Sequence, residues 1–457
     1  MPKRVLLLLL IATLGLRCAR NTERAALDEP ITPPGTVERE PYLVSVSDTS
    51  AVLRWSTFQP AQPGIRLWAE ADTTELVLES RGRDHTFQML ELLPATEYTY
   101  QIQINDTLWS ETASFRTFPV PGSKEPFQFI MFGDSGMLSA GQLALAEHLN
   151  QEEPALMIHA GDVAYPDGTE QELTVKHFAV YAPILKRVPF FPSMGDHDLR
   201  TRFGEPYIEA FTPPGGRVTS ESPHYYSFTY GNVRFISLNS KASEEHAIRF
   251  GYLGDPSSDQ YQWLLRQLSL ARADPGIDWI IVYNHHPPYS ASTGFGGHGS
   301  DLALRRSISP LLDGYRVPFM FSGHDHDYQR SRPIRGNAIA EDGEGTVYVV
   351  SGGGGGRTTF RGTGADWFTE VSQQVYHYVR ADVDHYTIRL EAVNLDGNVF
   401  DTYEVSIPED LRKPWLKEAV PLTMPGLEDD ETVTGATTPG SPEPPTQPAS
   451  APARPDR

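Results

Sequence analysis

Five short motifs in this chain carry carboxylates, imidazoles and one phenol, which are side chains that bind metal ions. The motifs are Gly133-Asp134, Gly161-Asp162-Val163-Ala164-Tyr165, Gly195-Asp196-His197-Asp198, Asn284-His285-His286 and Gly323-His324-Asp325-His326. Carboxylates and a phenolate are hard ligands that suit Fe(III), whereas imidazoles suit Zn(II), Fe(II) or Mn(II). Two such ions held close together neutralise the oxygens of a phosphate ester and activate water for its hydrolysis. In combination the motifs predict a two-metal hydrolytic site.

Each motif directly follows a short apolar run, which is the pattern of a strand buried on both faces. The runs cover residues 127–132, 155–159, 188–194, 279–283 and 317–321. In layered α/β domains, ligands collect at the carboxyl ends of such strands. A single Gly-Asp pair is ordinary turn chemistry, and a single histidine is more often a core or surface group. Because donors recur at five strand ends, the pattern favours one shared site.

The five motifs resemble the signature of the purple acid phosphatases, a family within the calcineurin-like metallophosphoesterases, over residues 40–407. The segments that match the family's motifs as written are Gly133-Asp134, Gly161–Tyr165, Val282–His285 and Gly323–His326. In the third motif, Asp196 stands where the family has an asparagine. The resemblance implies a C-terminal α/β metallophosphoesterase domain, built as a β-sandwich flanked by helices with a dinuclear metal site at the strand ends. It also implies an acid phosphatase-like hydrolysis of phosphate monoesters, with a metal-bound hydroxide as nucleophile.

The resemblance further implies roles for individual side chains. Those that would hold Fe(III) at the first position are Asp134, Tyr165 and His326. Those that would hold Zn(II), Fe(II) or Mn(II) at the second position are Asp196, His285 and His324. Asp162 would bridge the two ions. His197 would act outside the ligands as a proton donor or phosphate contact, and His298 resembles a second such catalytic histidine on a looser match.

Asp196 carries a charge that an asparagine ligand lacks. A carboxylate there should bind a divalent ion more tightly, weaken it as a Lewis acid and raise the pKa of the water between the metals. One hypothesis is a functional enzyme with a shifted pH optimum or metal preference. The rival hypothesis is that the carboxylate weakens phosphate binding enough to impair turnover.

The formal net charge of −21 argues against nucleic acid as a partner, because binding to a phosphate backbone needs basic surface. We therefore expect small phosphate esters as substrates. An alternative on the same site is a phosphodiesterase or nucleotide pyrophosphatase, with substrate preference set by loops such as 199–217 and 290–300. A second alternative is a surface binding protein with a relict metal site.

Residues 1–18 have the pattern of an export signal. Pro2-Lys3-Arg4 precedes an apolar stretch at 5–16 that is too short to span a bilayer, and Cys18, the single cysteine, follows. Two readings stay open: a bacterial lipoprotein anchored through Cys18, or simple secretion, which Arg17 and Gly15 favour because they depart from a lipoprotein cleavage site. The expected location is periplasmic, cell-surface or secreted. Residues 19–39 are predicted to be a linker, and 421–457 a disordered tail rich in Pro, Thr and Ser.

Residues 40–118 have an all-β pattern. Strands are predicted at 42–47, 51–57, 65–70, 85–90, 97–104 and 112–118. Trp55 is expected in the core, and the run from Leu93 to Tyr98 resembles the tyrosine corner of fibronectin type III sandwiches. The larger purple acid phosphatases carry such a domain ahead of the catalytic one, so the resemblance implies a fibronectin III-like domain here.

Residues 124–407 are predicted to form the catalytic domain. Helices are predicted at 141–152, 170–180, 258–273 and 301–312, a hairpin around Gly231-Asn232, and closing strands at 375–383, 386–394 and 399–407. The glycine run 352–356 lacks the Lys-Ser/Thr of a phosphate-binding loop, so we expect a flexible turn beside the site.

Overall fold

The computed structural model describes residues 37–69, 72–77, 81–105, 107–212, 222–241, 252–294, 296–358, 366–407 and 409. The predicted export signal with Cys18 and the predicted tail at 421–457 lie outside these residues. Within the described ranges, no helix is both long and apolar enough to cross a membrane.

The N-terminal part is a sandwich of two antiparallel sheets. Its strands are β1 (Val37–Val46), β2 (Ala51–Ala61), β3 (Gly64–Ala69), β4 (Asp72–Val77), β5 (Gly82–Met89), β6 (Glu97–Ile102) and β7 (Ala113–Arg116). One sheet has the order β1-β2-β5 and the other β4-β3-β6-β7. The expected β-sandwich is therefore confirmed. Strand β4 was not predicted, and β1 begins at Val37, inside the predicted linker.

Two features of the predicted sandwich core are present. Trp55 is 1% exposed and stacks on Phe87 at a ring-centroid distance of 5.6 Å. The hydroxyl of Tyr98 accepts a hydrogen bond from the backbone N–H of Leu93 at 2.9 Å, which closes the predicted tyrosine corner.

The C-terminal part is a second and larger β-sandwich. Its strands are β8 (Phe127–Phe132), β9 (Leu156–His159), β10 (Phe190–Pro192), β11 (Tyr226–Tyr230), β12 (Val233–Ser237), β13 (Trp279–Tyr283), β14 (Phe319–Ser322), β15 (Tyr328–Ser331), β16 (Ile334–Arg335), β17 (Ala338–Ile339), β18 (Val347–Ser351), β19 (Thr369–Gln373), β20 (His377–Asp384), β21 (Thr387–Asn394) and β22 (Val399–Ser406). A six-stranded sheet has the order β10-β9-β8-β20-β21-β22, and a seven-stranded sheet β11-β12-β13-β14-β18-β15-β19. The predicted hairpin is β11–β12.

The parallel strands explain the continuous apolar runs, because both of their faces are buried. Between the sheets, the ring of Phe129 in β8 meets Phe235 of β12 edge-on at 5.3 Å and Phe321 of β14 at 6.3 Å. On the outer faces the strands pack against helices, as Ile130 does with Leu145 in one apolar cluster.

Helices cover the outer faces of both sheets. They are α1 (Ala140–Leu149), α2 (Glu170–Glu172), a π-helix (Leu173–Phe178), α3 (Ala179–Leu185), a 3₁₀ turn (Arg202–Gly204), α4 (Glu205–Phe211), α5 (Asp259–Ala273) and α6 (Leu302–Gly314). Side-chain caps mark the starts of four of them: Ser139 for α1, Thr169 for α2, Ser258 for α5 and Asp301 for α6. The predicted helix at 170–180 extends to Leu185 with a π-helical centre, and α4 falls within a segment predicted as a loop.

The two sandwiches pack against each other. Phe118 meets Tyr230 edge-on at 4.7 Å, and the hydroxyl of Tyr100 donates to the carbonyl of Lys186 at 2.8 Å. Apolar side chains of both sandwiches belong to one buried cluster. The division into domains at 40–118 and 124–407 stays a prediction.

Candidate metal centre

The five motifs lie at the carboxyl ends of strands from both sheets. Three follow β8, β9 and β10 in the six-stranded sheet, and two follow β13 and β14 in the seven-stranded sheet. At three of the predicted ligands, Asp134, Asp162 and His324, φ is 58°, 55° and 71°. Left-handed backbone at residues other than glycine is uncommon and concentrates at functional sites. The turns after these strands therefore direct the side chains to one place.

The side chains predicted for the first metal position meet. The hydroxyl of Tyr165 donates to Asp134 Oδ1 at 3.0 Å and lies 3.0 Å from His326 Nε2. His326 Nε2 is in turn 3.4 Å from Asp134 Oδ1. Asp134 is fully buried, and both of its carboxylate oxygens also accept from the backbone N–H of His324. Three oxygen or nitrogen donors thus converge from three strand ends.

The side chains predicted for the second position meet beside them. Asp196 Oδ1 lies 3.4 Å from His285 Nε2 and 3.5 Å from His324 Nδ1. The two ring nitrogens are 3.2 Å apart. The other ring nitrogen of His285 donates to the carbonyl of Ala160 at 2.8 Å, so Nε2 is the nitrogen directed into the cluster.

Asp162 lies between the two groups. Its Oδ2 is 3.5 Å from His285 Nε2. Asp162 belongs to two clusters of side chains whose possible ligand atoms all lie within 4.8 Å of one another. One cluster also contains Asp134 and His285, and the other also contains Asp196 and His197. A carboxylate shared in this way is placed to serve two ions at once.

Electrostatics in the cluster favour added positive charge. Burial raises the pKa of the Tyr165 phenol well above its ordinary value, and the charges of Asp134 and Asp162 raise it further. Burial lowers the pKa of His285, but the charge of Asp162 and the hydrogen bond to Asp196 raise it to about 10. The pKa of His326 rises to about 9 against the same burial, through its hydrogen bond to Asp134. The donor set therefore fits two cations, which would replace these protons.

The two predicted catalytic histidines flank the donors. The backbone N–H of His197 donates to Asp162 Oδ1 at 2.9 Å, and its ring lies 4.4 Å from that of Tyr165. The exposed ring of His298 stacks on His324 with centroids 4.1 Å apart. All nine side chains singled out in the sequence are thus brought together.

His286 joins the second group, which the sequence did not predict. It shares a cluster with Asp196, His285 and His324 whose donor atoms lie within 4.8 Å of one another. Its Nδ1 lies 2.9 Å from the hydroxyl of Ser240. The only signal in the sequence was its position next to His285.

Two buried carboxylates hold the motifs in place without facing the donors. Asp198 accepts from the backbone N–H groups of Val163 and Gly195, both at 2.9 Å, which joins the second motif to the third. Burial raises its pKa to about 7, helped by the charge of Asp162. Asp325 accepts from the backbone N–H of His298 at 2.7 Å and from the hydroxyl of Ser290. Both residues lie in the predicted motifs, but the sequence did not reveal these contacts.

The glycine run 352–356 lies beside the cluster, as predicted, but it is tightly packed. The backbone N–H of Gly356 donates to the carbonyl of Asp134 at 2.8 Å. A Cβ at Gly352 would stand 2.8 Å from Asp134 Oδ2, and one at Gly356 would stand 2.5 Å from His326 Cε1. Glycine is needed here for close approach, so the expectation of a flexible turn is wrong.

Comparison with known proteins agrees with this geometry. Residues 127–328 match the family described as calcineurin-like phosphoesterase. Purple acid phosphatase 22 of Arabidopsis thaliana is 27% identical over 307 residues, which cover 65% of this chain and 65% of that protein. An uncharacterized protein of Mycobacterium tuberculosis is 27% identical over 326 residues, which cover 63% of this chain and 60% of that protein. The matches thus span less than two thirds of these relatives' lengths.

A solved structure shares the fold. A purple acid phosphatase from yellow lupin (Lupinus luteus) seeds aligns with a TM-score of 0.71 at 21% sequence identity, covering 82% of this chain and 76% of the lupin chain. At that identity the match establishes the arrangement of sheets and helices.

Proposed function

We propose, from the match of residues 127–328 to the calcineurin-like phosphoesterase family, that the protein hydrolyses phosphate monoesters at a two-metal centre. The observation that carries the proposal is the place of Asp162 between two groups of donors. Such an arrangement suits a pair of ions, which would supply Lewis acidity and an activated water. Homology to purple acid phosphatases gives the reaction class.

The proposed ligands are those of the two donor groups. For the first ion, proposed as Fe(III), they are Asp134, Tyr165 and His326; for the second, Zn(II), Fe(II) or Mn(II), they are Asp196, His285 and His324. Asp162 is proposed as the bridge. The phenol of Tyr165 supports iron at the first position, since a phenolate is a hard donor. Its close contact with Asp134 at 3.0 Å would put both oxygens on one ion.

His197 is the proposed proton donor to the leaving group. Its Nδ1 donates to the carbonyl of Pro166, which leaves Nε2 as the ring nitrogen facing the site. Arg200 Nη2 donates to that Nε2 at 3.2 Å, so His197 must release this contact and take up a proton at Nε2 before it can donate to a leaving group. His298, stacked on His324, is proposed as a contact for the phosphate group.

Metal analysis with a visible spectrum tests the metal assignment. We expect iron together with a second metal, and an absorption band in the visible from a phenolate–Fe(III) pair. A colourless, fully active zinc or manganese protein would contradict iron while leaving the phosphatase in place.

Rates on p-nitrophenyl phosphate and on bis-p-nitrophenyl phosphate test the substrate class. We expect the monoester to be hydrolysed faster. A preference for the diester would favour the phosphodiesterase alternative, and inactivity toward both with metals bound would contradict a hydrolase.

We also propose that the protein is exported, because residues 1–18 have the pattern of an export signal. Comparing the cellular location of the full chain with that of Cys18→Ser would show whether a lipid anchor is used.

A further inference from the structure

The two carboxylate oxygens of Asp196 face different groups. Oδ1 faces His285 and His324 at 3.4 and 3.5 Å. Oδ2 faces two cations, with Lys241 Nζ at 3.6 Å and Arg200 Nη2 at 3.7 Å. The side chain of Asp196 is 14% exposed, whereas those of Lys241 and Arg200 are 28% and 45% exposed, so water screens the cations in part.

The two cations come from different parts of the fold. Lys241 follows β12, and its backbone N–H donates to the side-chain oxygen of Asn239 at 3.1 Å. Arg200 follows the third motif, and its Nη1 donates to the carbonyl of Pro166 at 3.1 Å. The guanidinium of Arg200 thus has a contact of its own, the backbone of Lys241 is fixed after β12, and both cations approach the same oxygen of Asp196.

This arrangement accounts for a carboxylate at a position where purple acid phosphatases have a neutral amide. A neutral ligand needs no counter-charge, whereas a carboxylate adds one negative charge where a phosphate must approach. Cations at the oxygen turned away from the metal position would cancel that charge without competing with the metal.

We propose that Lys241 and Arg200 are positioning residues that neutralise Asp196 and hold its Oδ1 toward the second metal position. This inference rests on the proposed function, since it assigns the surroundings of that same metal centre. The two positive charges offset the one negative charge that Asp196 adds relative to an asparagine ligand. The charge that Asp196 adds is then compensated within the chain, and phosphate binding is preserved.

The test compares Lys241→Gln, Asp196→Asn and the double variant as metal-loaded full chains. Calorimetry measures the binding of inorganic phosphate, and dialysis against a chelator measures retention of the second metal. Lys241→Gln removes one of the two cations beside Oδ2, so phosphate should bind about fivefold more weakly or worse, and the second metal should be retained longer. In the double variant one negative and one positive charge are removed together. Both quantities should then return to within about threefold of the parent.

A matched control is Lys186→Gln, which removes a lysine paired with Glu40 at 2.9 Å outside the site. Lys186→Gln should change neither the binding of phosphate nor the retention of the second metal. The proposal is overturned if Lys241→Gln has no effect, or if the double variant binds phosphate as weakly as Lys241→Gln alone, because Lys241 would then contact phosphate directly.

Failure of the proposed function would be seen separately. A parent protein that binds metals and phosphate without hydrolysing esters would remove the enzyme and leave the compensation measurable. An active parent without recovery in the double variant would remove the compensation only.

Discussion

The hydroxyl of Tyr165 and the buried carboxylate of Asp134 lie 3.0 Å apart, although the residues belong to motifs after different strands. Asp134 follows β8 and Tyr165 follows β9, which are parallel neighbours in the six-stranded sheet. Tyr165 is buried, and the pKa of its phenol is raised first by burial and then by nearby carboxylates. A phenolate at this point therefore needs a strongly charged cation beside it.

The first prediction concerns Tyr165→Phe. The ring and its contact with His197 are kept while the phenolic oxygen is lost, so the visible absorption band should disappear. Iron affinity should fall by about tenfold or more. An absorption spectrum and iron analysis measure both effects. Tyr98→Phe, which removes a hydroxyl that bonds Leu93 in the other sandwich, should keep the band; a band retained in Tyr165→Phe would refute the iron assignment.

The second prediction separates the two metal positions. Asp162→Ala removes the shared carboxylate and should reduce the content of both metals, whereas His324→Ala should reduce mainly that of the second. Each should lower kcat by about 10³-fold or more, as expected for loss of a group that acts on the reacting atoms. Metal content per chain, with circular dichroism as the control for folding, decides this. Unchanged activity in both variants would show that the cluster is not the active site.

The third prediction concerns the charge of Asp196. In Asp196→Asn the donor oxygen is retained and one negative charge is lost, so the nucleophilic water should ionise at lower pH. The acidic limb of the pH–rate profile should move down by roughly half a unit to one unit. An unchanged profile would show that this carboxylate does not tune the centre.

The fourth prediction concerns Asp325, which joins the loop of His298 to the motif after β14. Asp325→Ala removes the acceptor for the His298 backbone N–H, so His298 should lose its position over His324. We expect KM to rise about three- to tenfold with a smaller change in kcat, and His298→Ala to have a similar effect. When Asp325→Ala and His298→Ala are combined, KM should rise no further than in the single variant with the higher KM. Fully additive losses would show that Asp325 acts independently of His298.

Strands β8 and β13 were predicted to the residue, because burial on both faces produces an unbroken apolar run between polar turns. Strand β4 was missed because its sequence, Asp72 to Val77, has neither such a run nor clear alternation. Helix α4 was missed because seven residues with Pro206 near the start give a weak helical period.

The donors of the site could be predicted because each lies next to its own strand. The contacts around the donors could not be predicted, because they join residues that lie far apart in the chain. The approach of Lys241 to Asp196 depends on β12 and β10 lying in different sheets that face each other. The close packing of Gly356 against His326 depends in the same way on strand order.

The last prediction concerns acid stability and His85. Its side chain is 3% exposed beside Trp55, and burial lowers its pKa to about 4 despite the charge of Asp84. As pH falls below about 6.5, His85 takes up a proton in the unfolded chain but not in the folded chain, so stability is lost between pH 6.5 and 4. Between pH 8 and pH 5, His85 should account for a loss of about 2 kcal/mol in the free energy of unfolding. In His85→Gln, urea unfolding should show a shallower loss of stability from pH 8 to 5. Thr57→Val removes the hydroxyl that lies 3.2 Å from His85 Nε2 and donates to the carbonyl of Gln59 at 2.8 Å, and it should lower stability equally at both pH values. An identical pH dependence in His85→Gln and the parent would refute the assignment.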